Sequence, residues 1–227
     1  MQHHALAERH ALAETLRSAG PDAPTLCGDW TAAQLAAHLV LRERSLVELA
    51  GRLPVARLRE QADRKINHLV ATEPYERIVN AVDRGPSWAD ATWPILTSAI
   101  WSLPVVRESA NLLEYLVHHE DVRRAAPVWT PRALPVDRQV AVWKRLPMIG
   151  RLTLRKVATG LELVWPSHGR FRTGPARRGG GGGPTVTVTG EPVELALFAF
   201  GRIEVAQVDY DGAPEQVAMV RGAEIGI

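Results

Sequence analysis

A chain of 227 residues exceeds the usual size of one domain, so two domains are as admissible as one and a sizeable core is within reach. With 46% hydrophobic and 23% charged residues it has the make-up of an average folded protein, which excludes global disorder. The net charge of +2 comes from scattered positives in short clusters such as Arg123, Arg124 and Arg177, Arg178, and without a basic stripe or a recognised motif it gives no footing to nucleic acid.

The first helix is predicted from about His3 to Ala19, with Leu6, Leu12 and Leu16 on its apolar side and Gly20, Pro21 ending it. The N-terminus, MQHHALAERHALAETL, lacks the apolar run and cleavage pattern of a signal peptide. The loop PDAPTLCGDW follows. Its cysteine, Cys27, is the only one in the chain, which excludes an internal disulfide and fits a reducing compartment; in isolation it reads as a small buried hydrophobe. Thr31 with Gln34 forms a capping box, and Trp30 with Leu35 sits where a hydrophobic staple belongs, so a second helix starts here. It runs on through LVLRERSLVEL to Gly51 and is stopped by Pro54. His38 falls near the end of its second turn, in the apolar stretch LAAHLV, where a buried imidazole needs a partner. That partner is either an ordinary hydrogen bond in the core or a metal ion, and both readings stand.

A third helical region spans about Val55 to Val82, broken or kinked near Pro74, with Leu58, Ala62, Ile66 and Leu69 on one face. His68 has no comparable context. The segment from Ser87 to Pro104 is rich in tryptophan and proline. Trp88, Trp93 or Trp101 either lines a pocket at an open end of the helices or fills core space. The longest uncharged run, Ala91 to Val106, is interrupted by Pro94 and Pro104 and is shorter than the roughly 20 apolar residues of a membrane span. The expectation is a soluble, cytoplasmic protein outside the membrane.

The fourth main helix contains NLLEYLVHHEDVRRA, Asn111 to Ala125, and ends before Pro127. Side chains three, four and seven apart share a helix face, so Glu114, His118 and Asp121 form one row of metal-competent groups. His119 lies about 100° round the helix from His118 and is outside that row. A carboxylate four residues before a histidine is also an ordinary helix surface pair; a third ligand from elsewhere decides between the two, and His38 is the best placed. Helices joined by fairly short loops read as an antiparallel four-helix bundle, an architecture that places metal sites between facing helices.

The prolines of APVWTPRALP mark a boundary, dividing the chain into 1–127 and 128–227. Val136 to Val157 reads as helix, interrupted at Pro147 and Gly150, and LELVW and TVTVTG alternate as strands do. Between them ARRGGGGGP is a flexible loop; Gly179 to Gly183 lack the strand, helix and lysine context of a phosphate loop, so no nucleotide is assigned to them. A helix starts at Glu191 with Pro192 in its first turn and ends at Gly201. A strand in AQVDYDG and a short helix near Glu215 to Arg221 complete a small α+β domain.

Taken together, TLCGDWTAAQLAAHLVLRE, EYLVHHEDVRRA and GEPVELALFAFGR resemble the actinobacterial metal-binding proteins related to mycothiol-dependent maleylpyruvate isomerase. The resemblance covers most of the chain in order and is weakest from Ser87 to Pro104 and in the glycine loop. It implies a DinB-like four-helix bundle followed by the small α+β domain. It also implies that His38, Glu114 and His118 bind a divalent metal, with zinc the usual choice, and that Asp121 orients a ligand imidazole. By the same resemblance Arg202 faces an anionic substrate or thiol cofactor across the domain interface. HHEDVRRA and TLCGDW depart from the isomerase itself, so the resemblance speaks for a metal site more than for maleylpyruvate as substrate.

Two imidazoles and one carboxylate leave a tetrahedral zinc one open position, the arrangement of catalytic sites. The expected function is a thiol-dependent transferase or isomerase, with mycothiol as the low-molecular-weight thiol and a small electrophile as substrate. Arg202, or Arg123 and Arg124, is placed to hold carboxylates, although the last two also suit a helix C-terminus. The alternatives are a hydrolase on the same metal and a metal-binding module without catalysis.

Overall fold

Local sequence signals and burial account for most of the helices in the computed structural model, which describes residues 4–44, 56–85, 104–173 and 184–225. Nine helices and a four-stranded sheet are present among these residues. The chain divides into two compact units, Met1–Pro131 and Arg132–Ile227.

In the first unit α1 (His4–Ala19) presents Ala5, Leu12, Ala13 and Leu16 to the interior and packs on α5 (Pro104–Arg124). The start of α2 (Ala32–Arg44) is held by a reciprocal cap: the Thr31 amide donates to Gln34 Oε1 at 2.9 Å and the Gln34 amide returns to Thr31 Oγ1 at 3.5 Å. Before it, Gly28 turns the chain with a φ of +63°, a conformation that costs a side-chain-bearing residue about 1–2 kcal/mol. The third helical region is two helices, α3 (Ala56–Thr72) and α4 (Tyr75–Arg84), separated at Glu73 and Pro74. Proline removes a donor and clashes with the preceding turn, which places the break there. Both pack on α2, and α4 also packs on α1 through Ile78, Val79 and Val82.

Leu12, Leu16, Leu35, Leu39, Ile66, Leu112, Leu113 and Leu116 are fully buried and form the apolar centre of this unit, each contributing about 1.5–3 kcal/mol over an exposed position. Polar seams cross it. Arg17 reaches from α1 to Asn80, Glu76 and Asp83 on α4, and Arg9 donates to Glu43 at 2.8 Å and to Tyr115 at 2.6 Å. The expected course of the second helix to Gly51, the tryptophan segment and the glycine loop lie largely or wholly outside the described residues.

The second unit opens with α6 (Val136–Trp143) and α7 (Leu146–Thr153). Its sheet has the order β2-β1-β3-β4, from β1 (Gly160–Trp165), β2 (Gly169–Thr173), β3 (Thr185–Thr189) and β4 (Asp209–Asp211). The β1–β3 pair is parallel, with Leu163 opposite Val188, while β1–β2 and β3–β4 are antiparallel. Strand β2, GRFRT, is an addition to the sequence reading: its arginines carry no apolar alternation, and it is held at the edge by Arg170 and Arg172 reaching Glu162 on β1. Helix α8 (Pro192–Ala199) is buried along its whole length against α6 and α7, and α9 (Pro214–Arg221) packs on β3. No described helix is long and apolar enough to cross a membrane.

Candidate metal centre

Two helices of the first unit supply the site. On α2, the cap at Thr31 fixes where the helix begins and therefore where His38 points; its ring stands against the Trp30 indole, centroids 5.1 Å apart. On α5, Asn111, Glu114, His118 and Asp121 follow one another at spacings of three, four and three along one face. His38, Glu114 and His118 are all buried.

The structure brings these three together. Glu114 Oε1 is 3.6 Å from His38 Nε2 and 3.3 Å from His118 Nε2, and the two imidazoles meet edge to face with centroids 5.6 Å apart. One donor atom from each residue lies within 4.8 Å of the other two. Bonds of roughly 2.0–2.1 Å to a tetrahedral zinc imply ligand-to-ligand edges of about 3.3–3.4 Å. The two carboxylate-to-imidazole separations are close to that edge, so the donors suit a divalent cation in number and type and, along these two edges, in spacing.

Behind this cluster lies a second one. His118 Nδ1 is 2.9 Å from Asp121 Oδ2, the Cys27 thiol donates to the same oxygen at 3.0 Å, and Cys27 Sγ is 3.5 Å from His118 Nδ1. Cys27, His118 and Asp121 thus form another group of potential ligands. The reading of Cys27 as a buried hydrophobe is corrected: it is half-buried and has polar partners, because the turn at Gly28 carries it to α5, where the Leu26 amide also donates to the Asp121 carbonyl at 3.1 Å. Burial opposes the charged form of His118, but interaction with Cys27 and hydrogen bonds with Asp121, Cys27 and Glu114 outweigh it and hold its pKa well above the ordinary imidazole value.

His119 faces elsewhere. Its Nδ1 lies 2.8 Å from Glu8 Oε1 and its Nε2 2.7 Å from Thr15 Oγ1, both on α1, so it is a satisfied histidine of the α1–α5 seam. Arg123 and Arg124 are engaged within the first unit: both reach the fully buried Glu120, at 3.0 Å and 2.7 Å, and the Arg124 guanidinium lies over Trp129. Arg202 belongs to the second unit, where its Nη1 donates to the Phe200 carbonyl at 2.7 Å.

One charged residue at the cluster escaped the sequence reading. Arg42, four residues after His38 on α2, places Nε 3.3 Å from Glu114 Oε1 and donates from Nη1 to Asn111 Oδ1 at 3.1 Å. The available signal was its spacing: Arg42 shares the His38 face, as Asn111 shares that of Glu114.

The class so defined is a helical unit with a buried cluster of two histidines and one glutamate, followed by a small α+β unit. Two solved structures share this fold over 92% of the chain and 90% of their own length, at 18% identity. They are a mycothiol-dependent maleylpyruvate isomerase, with a TM-score of 0.55, and a histidine-to-alanine mutant of that enzyme, with a TM-score of 0.59. No protein-family model and no curated protein matches the sequence. At this identity the likeness establishes the fold.

Proposed function

We propose that the chain is a zinc-dependent enzyme of small-molecule metabolism, a transferase or isomerase that uses mycothiol and acts on a small electrophile in the cytoplasm. The reading rests on one observation above all: His38 from one helix and Glu114 and His118 from another each bring a donor atom within 4.8 Å of the other two inside a buried site. The shared fold with a mycothiol-dependent isomerase supports the choice of thiol, and the resemblance to its relatives supports a DinB-like bundle for residues 1–127 and a separate α+β domain for 128–227.

In this reading His38, Glu114 and His118 are the metal ligands. When bound, the cation supplies Lewis acidity that favours the thiolate form of an incoming thiol near neutral pH. The protein's part is orientation. Asp121 accepts the Nδ1 proton of His118, which fixes the tautomer and leaves the Nε2 lone pair facing Glu114 and His38. Cys27 donates to the same carboxylate oxygen and helps keep it in place. The Trp30 ring limits rotation of His38. Asp121 is thus a positioning residue. Arg202 is proposed to hold an anionic group of substrate or thiol, on the strength of the resemblance.

Metal analysis and thiol titration test the proposal. The purified protein carries one divalent ion per chain, His38→Ala and His118→Ala each lose it, and mycothiol raises the melting temperature of the metal-loaded protein and supports turnover of unsaturated or halogenated electrophiles. Metal retained in both variants overturns the ligand assignment. Absence of any mycothiol effect overturns the thiol, and thiol-independent turnover of esters or amides makes the enzyme a hydrolase.

A further inference from the structure

Arg42 has no part in the reading above, yet it brings a permanent positive charge to within 3.3 Å of the cluster's carboxylate. Its side chain is 10% exposed. Asn111 holds one end of the guanidinium through Nη1, while Nε faces Glu114 Oε1 at 3.3 Å and, although shielded from solvent, makes no hydrogen bond. The attraction between Arg42 and Glu114 is therefore one of charge, with the Nε–H unaligned. A buried polar N–H without an acceptor is costly, and a planar guanidinium is built to engage a carboxylate through two parallel donors.

The oxygen that Arg42 faces is also the one facing both imidazoles. A cation drawn to His38, Glu114 and His118 must share Glu114 with a positive charge already beside it. Without a cation, the opposite charges of Glu114 and Arg42 cancel. A divalent cation then adds positive charge that the Glu114–Arg42 pair no longer offsets, in surroundings where charge is poorly screened.

We propose that Arg42 is the resident counter-ion of Glu114 and an anion-binding residue of the site: it neutralises the carboxylate when the cation is absent and turns its charge to a carboxylate group of the bound small molecule when the cation is present. The inference rests on the ligand assignment proposed above. Cation and carboxylate then bind with positive coupling, each raising the affinity of the other by the same factor, and the coupling passes through Arg42. Nothing covalent changes; a charge pair is exchanged for two new ones.

Zinc affinity of the full-length protein, measured by competition with a chromophoric chelator in an anion-poor buffer, tests this with acetate as the probe. Arg42→Met and Arg42→Gln bind zinc at least tenfold more tightly than wild type, and their metal-free forms melt at lower temperature because the guanidinium charge beside Glu114 is gone. Arg42→Lys, which keeps the charge and loses the fork, stays within about threefold of wild type. Acetate at constant ionic strength tightens zinc binding at least threefold in wild type and leaves Arg42→Met unchanged. Zinc affinity unchanged or weakened in both folded neutral variants overturns the counter-ion role, and an equal acetate effect in wild type and Arg42→Met overturns the anion role. If wild type binds zinc stoichiometrically and either result appears, this inference alone falls; if wild type binds none, the ligand assignment falls with it.

Discussion

Substituting Asp121 by asparagine tests whether the second cluster supports the first. The residue is fully buried, and one of its carboxylate oxygens accepts from His118 Nδ1 at 2.9 Å and from Cys27 Sγ at 3.0 Å. Asparagine keeps the size but removes the charge, so with its carbonyl oxygen in that place both donors meet a neutral acceptor, and a charge-assisted bond of about twice the strength is lost at His118. Removing the outer partner of a metal-bound imidazole typically costs about 10–100-fold in metal affinity, which is about 1.4–2.7 kcal/mol. Chelator competition with the folded variant at pH 7.5 is therefore expected to give a zinc Kd raised by that factor, with one ion per chain still bound at saturation. Stoichiometric loss belongs to His38→Ala and His118→Ala. A folded Asp121→Asn variant whose Kd lies within about threefold of wild type would refute the argument that this carboxylate orients His118.

The buried charges outside the cluster give stability predictions. Glu120→Ala leaves the fully buried Arg124 guanidinium without its partner on α5 and is expected to lower the unfolding free energy by about 3–5 kcal/mol; a loss under about 1 kcal/mol in urea titration shows that the pair carries little. Glu8→Ala removes the acceptor of His119 Nδ1 at an expected cost of about 1–3 kcal/mol. Bound zinc stays at one ion per chain, whereas loss of zinc in a folded variant would place His119 in the metal site. The Asp83 carboxyl is opposed by burial but held below its ordinary pKa by hydrogen bonds with His10 and Arg17 and by their charges. Its folded-state pKa is the lower one, so the stability it confers is present above the unfolded value of about 3.9 and disappears as pH falls through the folded value. With the site partly exposed, Asp83→Asn is expected to lose only about 0.5–1 kcal/mol at pH 7 and to show a flatter acid limb in thermal melts from pH 5 to pH 2. An unchanged acid limb removes Asp83 from the account.

Periodicity and caps carried a good part of this structure because they act within a few residues. The Thr31–Gln34 box placed the start of α2, Pro74 placed the break between α3 and α4, and the spacing of Glu114, His118 and Asp121 put three polar groups on one face before any tertiary contact was known. Strand β2 escaped for the complementary reason: GRFRT has no apolar alternation, and its place is set by pairing with β1, a contact between strands. Cys27 escaped because its surroundings come from a turn folding back onto α5, a contact between residues 94 apart that no local pattern encodes. Arg42 is the sharpest case. Its spacing from His38 was readable, and so was that of Asn111 from Glu114, but which helix α2 would face was not. Only once α2 and α5 stand together does a guanidinium meet the same carboxylate oxygen as two imidazoles, and a row of ligands becomes a site whose charge depends on what is bound in it.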